Sequence, residues 1–122
     1  MKKLVVLLLS SMLCSIAMSQ PVREEPIKNP MLWADVPDPD VIRVGDTFYL
    51  VSTTMHHFPG ATILKSKDLV NWEYCAQPLI QLSTSDRYQL LNGQNAYAAG
   101  MWACSMAYHE GTFYILINGN DA

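Results

Sequence analysis

Three carboxylates crowd the segment Trp33-Ala34-Asp35-Val36-Pro37-Asp38-Pro39-Asp40-Val41-Ile42, and the middle one stands between two prolines. Proline fixes its own φ and steers the residue before it away from helical geometry. Asp38 is therefore expected on a stiff, extended segment just ahead of an apolar strand. A carboxylate mounted in one direction can serve as a general base; the plainer reading of Pro-Asp-Pro alone is a turn. Asp40 lies two residues on, hence on the same side of an extended chain, but it opens the strand and is expected to bond backbone. Asp35 is the third candidate.

Two other groups invite chemistry. His56-His57 suggests a metal, but neighbours on an extended chain point to opposite faces, so loop or pocket-rim histidines are expected instead. Of the three cysteines, Cys14 falls in the N-terminal segment; Cys75 and Cys104 are read as buried free thiols, with a disulfide permitted but specified by no spacing.

The elements that must position these residues are strands. The run from Asp40 to Ser52 has an echo from Ser105 to Ile117, with Thr47-Phe48-Tyr49 falling on Thr112-Phe113-Tyr114, 65 residues later. Each copy reads strand, two-residue turn (Gly45-Asp46, Glu110-Gly111), strand. Further strands are expected at residues 61–66 and 72–76, after strands at 41–44 and 47–53, which makes one four-stranded antiparallel blade. A hairpin repeated radially points to a β-propeller. Residues 77–99 read as a long strandless connector rich in Ser, Asn, Gln and Tyr, of the kind that is commonly functional. No segment holds helical periodicity, so the chain is read as all-β. Asn118-Gly119-Asn120-Asp121 reads as a turn that introduces a further strand, which would leave the second repeat with only its first hairpin. The chain is therefore expected to be the N-terminal fragment of a longer protein.

Residues 1–19 read as a signal peptide: Lys2-Lys3, an apolar run from Leu4 to Leu9, and Ala17-Met18-Ser19 before the expected cleavage. Residues 20–30 form a polar, irregular leader, and 31–122 the incomplete propeller domain. An exported protein, periplasmic or extracellular, is expected, without stable membrane insertion. The whole chain carries a net charge of −3, and setting aside Lys2 and Lys3 takes it to −5. No basic cluster survives, which argues against nucleic acid as a partner.

The chain also resembles glycoside hydrolase family 43, on Asn29-Pro30, Pro37-Asp38-Pro39, Phe58-Pro59-Gly60, Ser66-Lys67-Asp68-Leu69-Val70-Asn71-Trp72 and Gly100-Met101-Trp102-Ala103, in that order. The resemblance covers about residues 29 to 119. It implies the first blade and part of the second of a five-bladed β-propeller. It also implies an inverting β-xylosidase or α-L-arabinofuranosidase acting on xylo- or arabino-oligosaccharides and on xylan-type plant polysaccharides. Asp38 would be the general base, with the general acid and the residue that tunes its pKa lying on later blades. Trp102 is the best substrate-contact candidate, since it matches Pro37 in the repeat and its indole suits the C–H face of a pentose. It is expected just before the second blade's inner strand. Phe58 and Met55 are expected to wall the same pocket. The chemistry implies no cofactor; a structural calcium, where the family holds one, would be bound outside these residues. The Ser66–Trp72 turn is read as a blade-edge turn with Trp72 packed between blades. Two departures from the family bear on specificity, Met55 where xylosidases often have an aromatic, and Cys104-Ser105 where many members read Pro-Asp after Trp-Ala. The competing readings are a sugar-binding propeller without catalysis and a related fructoside-acting propeller hydrolase.

Overall fold

The computed structural model describes residues 26–120. The expected signal peptide lies outside the described residues, as does most of the leader. Strands β1 (Asp40–Val44), β2 (Thr47–Ser52), β3 (Thr62–Ser66) and β4 (Trp72–Ala76) form one antiparallel sheet in sequence order. Strands β5 (Gly100–His109) and β6 (Thr112–Asn120) form a second, two-stranded sheet. The expected blade and the start of its repeat are thus both present; the bounds of the four blade strands agree to within a residue, while the second hairpin runs longer than the repeat at both ends.

Local chemistry explains the hairpins. Between β5 and β6, Glu110 and Gly111 both take positive φ, 46° and 84°. That is the primed turn whose twist matches the flanking strands, and a glycine at its second position meets no steric penalty. The β3–β4 connection is held by side chains instead. Ser66 Oγ accepts the amides of Asp68 (3.1 Å) and Leu69 (2.9 Å), and Asp68 Oδ1 accepts those of Val70 (2.9 Å) and Asn71 (2.7 Å). Trp72, half-buried, donates its indole N–H to Leu69 O at 3.0 Å. Lys67 reaches back to Asp46 Oδ1 (2.6 Å) and Thr47 Oγ1 (2.7 Å), tying neighbouring hairpin tips.

The apolar core lies between the two sheets. Val51, Ala61 and Ile63 from the first meet Cys104 and Met106 from the second, with Ile42, Tyr49, Leu79, Ile115 and Ile117 packed around them. Each fully buried aliphatic side chain there is worth about 1.5–3 kcal/mol. Tyr49 and Phe113, two members of the repeated Thr-Phe-Tyr, meet with ring centroids 4.8 Å apart. Among the described residues β6 pairs only with β5 and leaves Tyr114 and Leu116 exposed.

Three expectations are corrected. Asn118–Asn120 do not turn away: they stay in the ladder, Met101 opposite Gly119 and Gly100 opposite Asn120. The long β5 needs a partner for its first residues, and cross-strand pairing overrides local turn chemistry. The connector is not wholly irregular, since it carries a one-turn helix, α1 (Asp86–Gln89), too short to leave a periodic trace. Both thiols are free, but only Cys104 is buried, and burial raises its pKa. Cys75 sits on the outer strand β4 and is exposed.

The Asp68 turn generates a pH prediction. Amide donors, Asn71 first, hold the Asp68 carboxyl well below the usual carboxylate range. Its folded pKa lies below its unfolded value, so its contribution to stability is present above about pH 4 and fades as pH falls toward the folded value. Asp68→Asn is expected to lower the melting temperature at neutral pH and to narrow its gap to wild type below pH 4. Thermal melts from pH 7 to 3 check this; a gap independent of pH would contradict it.

Candidate active site

The end of the sheet opposite the Asp68 turn is where β1 begins and β2 ends. There the backbone on both sides of Asp38 is tied down. Ser52, itself buried, donates its hydroxyl to the carbonyl of Pro37 at 2.6 Å. Asp40 Oδ2 accepts the Met106 amide at 2.8 Å and the Ser105 hydroxyl at 3.1 Å, fastening the start of β1 to β5. Asp40 thus has the backbone-bonding role its position suggested. Asp38, between these anchors, is exposed, and its carboxylate makes no hydrogen bond among the described residues. One carboxylate is structural and the other is left for solvent or ligand. Asp35 is also exposed but lies outside the anchored stretch.

The backbone at Asp38 differs from expectation. Its φ is 47°, in the left-handed region rather than extended. Proline at the next position disfavours the right-handed helical well, and Asp tolerates the left-handed one better than most residues. Holding it there costs on the order of 1–3 kcal/mol, which the two flanking anchors must offset.

A second group of bonds joins β2 to β5. Thr53 Oγ1 is buried; it donates to Met101 O at 2.6 Å and accepts the Met55 amide at 2.9 Å. Met101 N returns a bond to Met55 O at 2.9 Å. Met55 takes a positive φ of 54° to make this approach. Gly100, at φ 81°, permits it: a Cβ there would stand 2.7 Å from Met55 O. The same stitch brings Met55 and Trp102 into one open pocket of about 390 Å³, completed by His56, Tyr97 and Ala98. Trp102 is not ahead of the strand, as expected, but within β5, where the register shifts between Met101 and Cys104. The bulge leaves the indole 45% exposed while its neighbour Met101 is fully buried.

Phe58 does not wall that pocket. It lines an adjoining cavity of about 670 Å³ with His57, Tyr88, Arg87 and Tyr97, and it meets the Tyr88 ring edge-on at 6.4 Å. The histidines are at the pocket rim, as expected, but the reason for it is corrected: residues 54–57 form a tight turn rather than extended chain. The His56 and His57 rings therefore lie together, centroids 4.2 Å apart. Among the described residues no three potential ligands gather that could hold a metal. Tyr97 is the site residue sequence reading missed, and its only signal was its place in a long polar connector.

The glycine gate yields a prediction. Gly100→Ala is expected to destabilise the fold by roughly 1–3 kcal/mol more than Gly111→Ala, since both incur the positive-φ cost but only the first forces a methyl into a carbonyl that must shift to admit it. Denaturant midpoints of the two variants decide it; equal losses would mean the Met55 turn yields freely.

Known proteins match the chain over most of its length. The family model described as Glycosyl hydrolases family 43 matches residues 27–122. A beta-xylosidase of Formosa agariphila is 45% identical over 86 residues, covering 70% of this chain and 14% of its own length. A non-reducing end alpha-L-arabinofuranosidase of Bacteroides ovatus is 34% identical over 114 residues, covering 93% of this chain and 20% of its own. The solved structure of a bifunctional GH43-CE protein of Bacteroides eggerthii superposes with a TM-score of 0.67 at 45% identity, over 75% of this chain and 12% of that one. The chain thus spans less than a quarter of the length of these relatives.

Proposed function

Because the chain belongs to glycosyl hydrolase family 43, with β1–β4 as the first blade and β5–β6 the start of the second in a five-bladed propeller, we propose that the protein hydrolyses terminal xylosyl or arabinofuranosyl bonds with inversion. The observation that carries this reading is the division of labour between Asp38 and Asp40: one carboxylate free and exposed, on a backbone anchored on both sides by the other and by Ser52. An inverting glycosidase needs such a base to take a proton from the water that attacks the anomeric carbon. In the same step a protonated carboxyl, roughly 6.5–9.5 Å from the base, gives its proton to the leaving oxygen.

The acid is assigned to chain outside the described residues. Glu110 sits in the β5–β6 turn, at the end of β5 away from Gly100 and Trp102, beside His109 Nε2 at 3.7 Å. Glu73 is on the outer strand β4 and paired with Lys65 at 3.2 Å. Neither lines the Trp102 pocket or the adjoining cavity. Trp102 and Met55 supply the apolar wall against which a pentose ring packs, and Phe58 belongs to the adjoining cavity. The likeness to one relative named as a xylosidase and another as an arabinofuranosidase supports both sugars as substrates. No step draws on a metal. The basic and apolar segments at residues 2–9 support export, and no helix among the described residues is long and apolar enough to cross a membrane.

The test uses the full-length protein with nitrophenyl β-xyloside and α-arabinofuranoside, following the first-formed anomer by NMR. Inversion is expected; retention would overturn the mechanism, and no turnover of either sugar would favour a binding propeller. Asp38→Asn is expected to lower kcat by on the order of 10²–10⁴ with the melting temperature preserved, because the amide keeps the shape but cannot accept the water's proton. Near-wild-type turnover would pass the role to Asp35.

A further inference from the structure

The wall of the Trp102 pocket contains one side chain held more firmly than packing requires. His56 follows Met55, whose positive φ is fixed by hydrogen bonds at both its N–H and its carbonyl. On the other side the turn closes twice: His57 N donates to Thr54 O at 3.0 Å, and Thr54 Oγ1 donates to His57 O at 2.7 Å. The imidazole is wedged between His57 and the edge of Tyr97, whose ring centroid lies 5.0 Å away. It lines the Trp102 pocket and the adjoining Phe58 cavity at once.

The ring's two nitrogens are in different surroundings. Nδ1 is buried and has no hydrogen-bond partner among the described residues. Buried polar atoms are nearly always partnered, so an orphan on a rigid mount calls for a reason. A neutral imidazole carries one N–H and one lone pair. Sealed from every acceptor, Nδ1 is the poor place for the proton, which leaves the N–H on Nε2, the polar atom the ring has for the cavities it lines. We propose that His56 is a specificity-determining residue of the sugar site, its Nε2–H donating to one hydroxyl of the sugar packed against Trp102.

This rests on the glycosidase reading and adds to it. Aromatic faces such as Trp102 and Tyr97 grip any sugar's C–H surface and discriminate poorly; a fixed donor decides which hydroxyl pattern is accepted. Because the turn holds His56 before substrate arrives, little ordering is lost on binding, and a sugar lacking the matching hydroxyl leaves the donor unpaired.

The experiment compares His56→Phe and His56→Gln with wild type in the full-length protein. Phenylalanine keeps the ring against Tyr97 and removes the donor, whereas glutamine places an amide N–H near the position of Nε2. Each is assayed on the preferred nitrophenyl glycoside and on its monodeoxy analogues, with melting temperatures alongside. H56F is expected to lower kcat/KM about tenfold or more on the parent sugar and hardly at all on the one analogue lacking the hydroxyl that is read. H56Q should regain much of the loss. A uniform loss across all analogues, or none, overturns the proposal, as does loss in H56F that H56Q does not relieve. Wild type inactive on both sugars removes the glycosidase reading and this inference with it, before any variant is made.

Discussion

The buried Thr53 hydroxyl is the joint on which the site depends. It accepts one amide and donates to one carbonyl, and in doing so connects the end of β2, the turn that carries Met55 and His56, and the start of β5. A valine there would fill similar space but take the Thr53 hydroxyl from the buried Met101 carbonyl and the half-buried Met55 amide, and a buried group left unpaired costs about 1–3 kcal/mol. The apolar core between the sheets brings the two hairpins together, but burial is non-directional. Thr53 and Asp40 set the angle and register at which they meet, because their bonds reach Met101 and Met106 on the same strand.

That arrangement explains how neighbouring carboxylates acquire different tasks. Asp40 is consumed by the Met106 amide and the Ser105 hydroxyl, so it is part of the frame. Asp38, two residues earlier, has its flanking carbonyl held by Ser52 and its own side chain left alone. Sequence placed both on one side of an extended chain; the left-handed turn at Asp38 instead separates them. The role proposed for Asp38 asks for a fixed direction and an uncommitted lone pair, and the fixing falls to Ser52 and Asp40.

The strands and the repeat were legible because they rest on local pattern. The β-branched and aromatic content of Thr47–Ser52, and the recurrence of Thr-Phe-Tyr at Thr112, are visible without any tertiary knowledge. Asp38 and Asp40 were legible in kind for the same reason: prolines and strand position mark them. Apart from the backbone turn at Asp38 and the short α1, what failed depended chiefly on a partner distant in sequence. Asn118–Asn120 look like a turn until Gly100 and Met101 claim them as ladder partners. His56 and His57 would point apart on an extended chain, and Phe58 would join Met55, were it not for the turn that Met101 imposes through Met55 O. Tyr97 reaches the pocket only because the connector folds back, and nothing near it in sequence announces that.

The connector between β4 and β5 has an evolutionary consequence. It contributes Tyr97 and Ala98 to the pocket but takes no part in the Thr53 and Asp40 bonds that lock the two sheets. Lengthening such a segment is thermodynamically cheap, about 0.6 kcal/mol for each doubling of a flexible loop. Insertions, deletions and substitutions between residues 77 and 99 can therefore recut one wall of the pocket while the mount of Asp38 stays as it is. A lineage built on this frame is free to reshape that pocket by redrafting a loop, with the doubly anchored Asp38 left in place.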